Sequence, residues 1–189
     1  MNVVLIGPIA AGKSTLGSLL SAALGLPQCS MDDVRFRYYG EIGYDESLAT
    51  RLYQTEGFWG LYRYWKPFEA HAVERVLADH PSSVIDFGAG HSVYEDDALF
   101  VRAKRALAPC RHVVLVLPSP DLNTSLAVLR RRRPSLDAID PDINEHFIRH
   151  PSNYELATFT MYTEDRLPEE TCAEIVGRIQ SSYRDTPAA

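Results

Sequence analysis

The chain has 189 residues, 46% of them hydrophobic and 23% charged, a composition typical of one globular domain with a sizeable core. A formal net charge of −6 argues against general nucleic-acid binding, and no apolar stretch approaches the ~18 residues of a membrane span. Three widely spaced cysteines predict no disulfide framework and a cytoplasmic location. We predict a single domain over residues 1–183, a loose tail at 184–189, and a monomer or homodimer.

The first predicted element is a strand that leads directly into a phosphate-binding loop. Val3 to Ile6 is apolar and β-branched, and apolar residues at helical spacing run from Leu16 to Leu24. Between them lies G-x-x-x-x-G-K-S, in which Lys13 is expected to neutralise ATP phosphates and Ser14 to bind Mg²⁺. A chance glycine-rich turn is the alternative. The predicted nucleotide-binding residues are Gly7, Ala10, Ala11, Gly12, Lys13, Ser14 and Thr15.

Four further apolar runs are predicted as strands, with helical patterns between them. The predicted strands cover residues 27–30, 83–87, 112–117 and 158–162. The predicted helices cover residues 33–40, 47–53 and onward, 67–79, 96–107, 119–132 and 168–183, and Ser119 is predicted to cap one of them. This alternation predicts a parallel sheet with helices on both faces and ligands beyond the carboxyl ends of the strands.

Two acids, Asp32 and Asp33, follow the second predicted strand. An acid at this position would face the phosphate loop across the cleft. Asp32 is therefore predicted to orient or deprotonate an acceptor hydroxyl, with Asp33 as a second candidate. The alternative for Asp32 is that it only caps the following helix.

The third predicted strand ends in the segment DFGAGH, residues 86–91. An apolar run that ends in an acid often supports Mg²⁺ in nucleotide-binding sheets, so Asp86 is predicted to assist the metal. Gly88 and Gly90 would allow the backbone to approach a substrate closely. A plain turn is the alternative, and His91 is expected to be a solvated loop residue unless it contacts substrate.

A run of arginines, residues 130–133, ends the helix that follows the fourth strand. A solvated helix end that complements the helix dipole is one interpretation. The other is a mobile lid over about 130–146 that brings guanidinium groups to the transferred phosphoryl group. We predict Arg130 and Arg133 as catalytic residues, with Arg132 as a further candidate, and expect the acidic stretch after them to exchange ion pairs with these arginines.

An aromatic segment, YQTEGFWGLYRYWKPF, covers Tyr53 to Phe68. It predicts either a helical core face or a substrate cap whose rings stack on a bound molecule, the cap region extending over about 33–75. Arg63 and Lys66 are the cations of this segment that would meet an anionic substrate.

These residues resemble the shikimate kinase group of small phosphotransferases, which has a nucleoside-monophosphate-kinase-like P-loop fold. The resemblance implies a three-layer α/β/α domain with a five-stranded parallel sheet in the order 2-3-1-4-5 and a lid. It implies ATP and Mg²⁺ as cofactors, and contact of Asp32 with the acceptor hydroxyl. It also implies that Lys66, or a displaced Arg63, binds the substrate carboxylate, and that Arg149 is a second substrate-binding cation.

The resemblance is incomplete on the substrate side. Ser30 stands where the family has its first acid, Lys66 where it has an arginine, and Gly88-Ala89-Gly90 where it has three glycines. We therefore expect a kinase of another small hydroxylated metabolite, an acid, sugar, nucleoside or antibiotic-like compound, rather than a shikimate kinase. Two alternatives stay open: a toxin-like kinase of a nucleotide or nucleotide-sugar, and a nucleotide-dependent switch protein without acceptor transfer.

Overall fold

The computed structural model describes residues 1–136, 139 and 141–184, without the side chains of residues 183 and 184. Residues 185–189 of the predicted tail lie outside the described residues. The same holds for residues 137, 138 and 140 of the predicted lid.

Five parallel strands form the central sheet in the order β2-β3-β1-β4-β5, which confirms the predicted topology. The strands are β1 (Val3–Ile6), β2 (Gln28–Ser30), β3 (Val84–Asp86), β4 (His112–Leu117) and β5 (Phe159–Tyr162). Every residue of β1 and β4 is buried, as expected for central strands covered on both faces. Asp86 lies in register with both Ser30 of β2 and Leu5 of β1, so the carboxyl ends of three strands meet at one level.

Helices connect and cover the strands. They are α1 (Lys13–Leu24), α2 (Met31–Glu41), α3 (Glu46–Asp79), α4 (Asp97–Leu107), α5 (Leu122–Arg132), α6 (Ile143–Arg149), α7 (Pro151–Leu156) and α8 (Pro168–Arg184). Among the described residues, none of these helices has both the length and the apolar character needed to cross a bilayer.

The aromatic segment lies within α3, which joins two predicted helices into one. Pro67 was expected to start the second helix because proline favours a first turn, but it lies inside α3. The helix is instead kinked at Gly57, whose φ of 67° and ψ of −162° are non-helical. This kink lets the aromatic residues after Gly57 turn toward the carboxyl edge of the sheet.

Two helix starts differ from the sequence prediction, and two further helices were not predicted. Asp121, not Ser119, caps α5, because its carboxylate accepts a hydrogen bond of 2.7 Å from the backbone N–H of Thr124. Helix α2 begins at Met31 after Ser30, so Asp32 lies in the first turn and does not cap it. Helices α6 and α7 were not predicted, since the sequence before them is rich in Asp and Pro and was interpreted as a mobile lid.

Candidate active site

The phosphate loop connects β1 to α1 and owes its shape to its glycines. Gly7 has a φ of 133°, and a Cβ there would lie 2.4 Å from the backbone oxygen of Val116 on β4. Gly12, with a φ of 98°, precedes the first residue of α1. These positive φ values favour glycine and curl the loop around the amino end of α1, where the helix dipole attracts anions.

Lys13 lies within this curl and is almost completely buried. Its ammonium group donates hydrogen bonds of 2.9 Å to the Gly7 carbonyl and 2.8 Å to the Pro8 carbonyl. Burial lowers the pKa of Lys13 to about 8, although the nearby carboxylates of Asp32 and Asp86 favour the charged form. The Lys13 ammonium group therefore already lies at the loop, and a bound anion would favour its charged form.

Asp86 forms a buried polar cluster beside the loop. Its Oδ1 accepts hydrogen bonds from the Ser14 hydroxyl at 2.8 Å and from the Ser30 hydroxyl at 3.0 Å. Its Oδ2 accepts one of 2.9 Å from Gln28, and a Cβ on Gly17 would lie 2.7 Å from the Gln28 Nε2. Ser14 and Asp86, which were both predicted to serve the metal, therefore lie in one cluster, and Ser30 shares the same carboxylate.

The donor set of this cluster fits Mg²⁺, which prefers oxygen ligands. Within the described part of the chain, no group of three or more His, Cys, Asp or Glu side chains would enclose a metal ion. A few protein oxygens combined with phosphate oxygens are the usual arrangement for Mg²⁺ at nucleotide sites. Ser14 would ligate the ion and Asp86 would hold the Ser14 hydroxyl in place.

Asp32 lies where two neighbouring cavities meet. The first, here called the loop cavity, is about 400 Å³ in volume and is lined by residues of the phosphate loop, Asp32, Gly88 and Arg133. The second, the aromatic cavity, is about 440 Å³ and shares Asp32, Gly88 and Arg133 with the first. A Cβ on Gly88 would lie 2.9 Å from the Asp32 carboxylate, so the glycine leaves room for this side chain.

The aromatic cavity lies between α2, α3 and the segment after β3. Its wall includes the rings of Phe58, Tyr62, Trp65 and Phe147 and the polar side chains of Asp32, Arg35, Glu69, His91 and Arg133. The aromatic segment was predicted as a core face or as a substrate cap. Tyr62 combines features of both, because it is a buried core residue that also lines the cavity. Gly90 lines the cavity as well, but a Cβ there would collide with Glu69, so packing alone requires glycine.

The cations predicted to bind substrate do not line this cavity. Lys66 is buried, and its three N–H donors are used by the Gly90 carbonyl at 2.8 Å, the Val93 carbonyl at 2.9 Å and the Glu69 carboxylate. Arg63 points to solvent and pairs with Glu56 at 2.8 Å.

Arg149, at the end of α6, is also directed elsewhere. It donates to Glu145 at 2.9 Å and to Asn123 at 3.0 Å, and it lines a separate surface cavity. Existing carboxylate and carbonyl partners direct these cations away from the aromatic cavity. Sequence analysis did not identify Arg35, which does line it.

His91 is completely buried, contrary to the expectation of a solvated loop residue. Its Nδ1 lies 3.3 Å from the Gly88 carbonyl oxygen, which can only accept, so Nδ1 carries the proton and Nε2 accepts from the Tyr39 hydroxyl at 3.2 Å. Burial, together with the charges of Arg35 and Lys66, holds the pKa of His91 well below its usual value. His91 is a neutral residue that fixes the wall of the cavity.

The arginine run at the end of α5 divides between two environments. Arg133 lines both the loop cavity and the aromatic cavity, and Arg132 donates to the Ala10 carbonyl at 3.2 Å. Arg130 instead forms an ion pair of 2.9 Å with Asp142 and lines neither cavity. The structure therefore brings Arg132 and Arg133 to the phosphate loop, while Arg130 makes the kind of lid ion pair that the acidic sequence predicted.

A third cavity, of about 210 Å³, lies on the other side of the phosphate loop. It is lined by Ala10 to Gly12, Arg132, and Thr163, Arg166 and Pro168 from the connection between β5 and α8. Sequence analysis missed this connection, although it follows the carboxyl end of a strand like the other candidate positions. This cavity lies next to the phosphate loop, and Arg132 and Pro168 both form part of its wall.

Comparison with known proteins agrees with this geometry. The family model described as shikimate kinase matches residues 9–180, which is most of the chain. The chain belongs to the shikimate kinase family. Its fold is that of the P-loop kinases, and the family and geometry together make it a small-molecule kinase. The phosphate loop, Asp32 and the arginines at the end of α5 all lie within or directly beside the matched region.

Individual relatives give the same result. The shikimate kinases of Corynebacterium efficiens and Xanthomonas campestris pv. campestris are each 28% identical, covering 94% and 99% of this chain and 96% and 97% of theirs. The structure of shikimate kinase from Acinetobacter baumannii in complex with shikimate has a TM-score of 0.64 at 22% identity, covering 96% of this chain and 93% of that one. The expectation that this family member is not a shikimate kinase is therefore not supported.

Proposed function

We propose that this shikimate kinase family member transfers the γ-phosphoryl group of ATP to a hydroxyl group of shikimate. The observation that carries the proposal is the position of Asp32 and Arg133, which line both the loop cavity and the aromatic cavity. A carboxylate at this boundary can hold an acceptor hydroxyl against a phosphoryl group on the other side. The names of the relatives suggest shikimate as that acceptor.

In this proposal ATP occupies the phosphate loop, and its base lies in the third cavity, whose wall includes Arg132 and Pro168. The β- and γ-phosphates accept hydrogen bonds from the loop N–H groups and from Lys13, which exchanges its carbonyl partners for phosphate oxygens. Ser14 and the Asp86 cluster hold Mg²⁺, which when bound neutralises charge on the phosphates.

The transfer step forms one bond and breaks another. The acceptor oxygen attacks the γ-phosphorus, and the bond from that phosphorus to the β–γ bridging oxygen breaks, so ADP leaves. Asp32 orients the hydroxyl and takes its proton, while Lys13 and Arg133 stabilise the charge on the transferred group. Phosphoryl transfer depends mainly on such positioning and electrostatics.

The acceptor is tested by measuring ADP release with ATP, Mg²⁺ and a panel of hydroxylated acids, sugars, nucleosides and aminocyclitols. Shikimate is expected to stimulate ADP release well above the hydrolysis seen without acceptor, with one phosphate ester formed per ADP. A nucleotide or sugar as the only stimulating compound would contradict the assignment of the acceptor. ATP binding with no stimulating compound would favour the switch protein instead.

A further inference from the structure

The aromatic cavity contains a cation that the sequence comparison with the family does not assign. Arg35, in the second turn of α2, lines the cavity together with Asp32, Trp65 and Phe58. The cations expected to bind substrate are directed elsewhere. These are Lys66 or Arg63, expected at the carboxylate, and Arg149, expected as a second substrate-binding cation. Arg35 and Arg133 are therefore the arginines that line this cavity among the described residues.

The surroundings hold the Arg35 guanidinium in place without using all of its donors. It lies 3.5 Å from the Asp32 carboxylate, 4.8 Å from the ring centre of Phe36 and 5.3 Å from that of Trp65. Its Nε is buried and has no hydrogen-bond partner in the part of the chain that the structure describes. A small shift of this side chain, which is 24% exposed, would bring the N–H to an acceptor atom in the cavity and relieve the cost of a buried donor without a partner.

We propose that Arg35 binds the carboxylate of the acceptor while Asp32, three residues earlier on α2, takes its hydroxyl. This inference rests on the proposed function and assigns the carboxylate to a different helix from the one that sequence position indicates. The planar guanidinium can grip a carboxylate with two parallel hydrogen bonds, which a lysine cannot. Trp65 and Phe58, which line the same cavity, would pack against the apolar face of the acceptor ring beside these two polar groups.

Arg133 is less suited to this role because it also lines the loop cavity, where the transferred phosphoryl group lies in the proposed function. The charge of Arg35, by contrast, acts inside the aromatic cavity, where it contributes to the lowered pKa of His91. The cavity thus separates the two recognition tasks, with Arg133 on the phosphoryl side and Arg35 on the acceptor side.

The test compares shikimate with its neutral methyl ester as acceptors for the wild type, Arg35→Ala and Arg35→Lys. Wild type is expected to prefer the acid in kcat/KM by roughly 10- to 100-fold, as expected for hydrogen bonds to a charged group. Arg35→Ala should lose this preference because kcat/KM falls further for the acid than for the ester, while the KM for ATP stays unchanged. The loss of the contact with Asp32 affects both acceptors alike. Arg35→Lys should recover only part of the preference, because it restores charge without the planar fork.

Two arginines serve as matched controls. Arg37 lies on the same helix but contacts Tyr38 and Asp79 outside the cavity, and Arg63 is the alternative to Lys66 that the family resemblance offers. Arg37→Ala and Arg63→Ala should keep the wild-type preference for the acid. An Arg35→Ala protein that still prefers the acid, or an Arg63→Ala protein that loses this preference, would overturn the assignment while leaving shikimate as the acceptor. If wild type phosphorylates neither compound, the proposed function itself fails and this inference with it.

Discussion

The nucleotide side and the acceptor side of this site are built in different ways. Around the phosphate loop, backbone geometry does most of the positioning, since Gly7 and Gly12 have positive φ values and the amino end of α1 points at the loop. In the aromatic cavity, side chains from α2, α3 and the end of α5 meet, and each has several possible partners. The phosphate-loop motif therefore determines the geometry of the nucleotide side. The geometry of the acceptor side depends on the hydrogen-bond or ion-pair partner of each side chain.

Lys66 illustrates the difference. It occupies the position where the family resemblance expects a carboxylate-binding cation, yet all three of its donors are used inside the protein. Lys13 is also buried and bonded to carbonyl groups, but those carbonyls belong to the phosphate loop that an incoming nucleotide contacts. Burial therefore leaves Lys66 without a donor for the substrate, whereas it holds Lys13 at the loop that the nucleotide contacts.

The largest effect is expected from Lys13→Ala, which removes the buried cation of the nucleotide side. Turnover should fall by at least about 10³-fold, because the charge on the transferred group loses its main fixed partner. Steady-state ADP release measures the loss. Lys104→Ala is the control, since Lys104 is an exposed lysine paired with Glu155, and it should keep wild-type activity. Comparable turnover in both variants would contradict the role given to Lys13.

Asp32→Asn tests the boundary between the two sides. It keeps the size of the side chain but cannot accept the proton of the acceptor hydroxyl, so kcat should fall by roughly 10²- to 10³-fold. ATP affinity, measured by calorimetry, should change little because the phosphate loop is intact. Asp33→Asn, in the adjacent position of α2, should transfer normally. Full transfer by Asp32→Asn would show that the carboxylate is not required as a base.

Arg133→Ala and Arg130→Ala form a matched pair at the end of α5. Arg133 lines both cavities, so its loss should lower kcat by roughly 10²-fold. Arg130 pairs with Asp142 away from the cavities, so its loss should leave kcat nearly unchanged and affect mainly thermal stability. Equal losses of kcat in single-turnover measurements would mean that the lid rearranges and that both arginines reach the phosphoryl group, as the sequence predicted.

Asp86→Asn tests the oxygen cluster beside the loop. The amide N–H₂ would face the N–H donors of Gln28 or the hydroxyls of Ser14 and Ser30, so the cluster loses its common acceptor. Mg²⁺ affinity of the nucleotide complex should weaken by roughly 10- to 100-fold, which is typical for a group that supports a ligand. Titration of Mg²⁺ into protein with ADP measures this, with the exposed Asp97→Asn of α4 as control. Unchanged Mg²⁺ affinity would remove Asp86 from the metal site.

The smallest effect is a pH dependence of nucleotide binding. Burial lowers the pKa of Lys13 to about 8, and bound phosphates would raise it again. Nucleotide binding should therefore be accompanied by the uptake of roughly half a proton at pH 8 and of nearly one proton at pH 9. ATP affinity should accordingly be independent of Lys13 titration well below pH 8 and fall as the pH rises above it. Calorimetry in two buffers of different ionisation enthalpy measures the uptake. An absence of proton uptake at pH 9 would show that Lys13 stays charged in the free protein.

Patterns in the sequence were sufficient for the parallel sheet and for the position of the phosphate loop, whereas the strand order came from the family resemblance. β1 and β4 are continuous apolar runs, and the loop motif requires a strand before it and a helix after it. The same reasoning missed α6 and α7, because residues such as Asp142 and His150 that cap them also suit an irregular lid. Spacing along the chain cannot show whether a hydrogen-bond donor is already taken, as it is in Lys66.

The most direct test of the account is to follow the phosphorus atoms of ATP by ³¹P NMR while the wild-type protein acts on ATP, Mg²⁺ and shikimate. The account predicts that the γ-phosphate signal is replaced by a phosphate monoester signal, at a rate matching the appearance of ADP. Lys13→Ala should leave the ATP signals unchanged over the same time. Conversion of the γ-phosphate to inorganic phosphate alone, at the same rate with and without shikimate, would contradict the account.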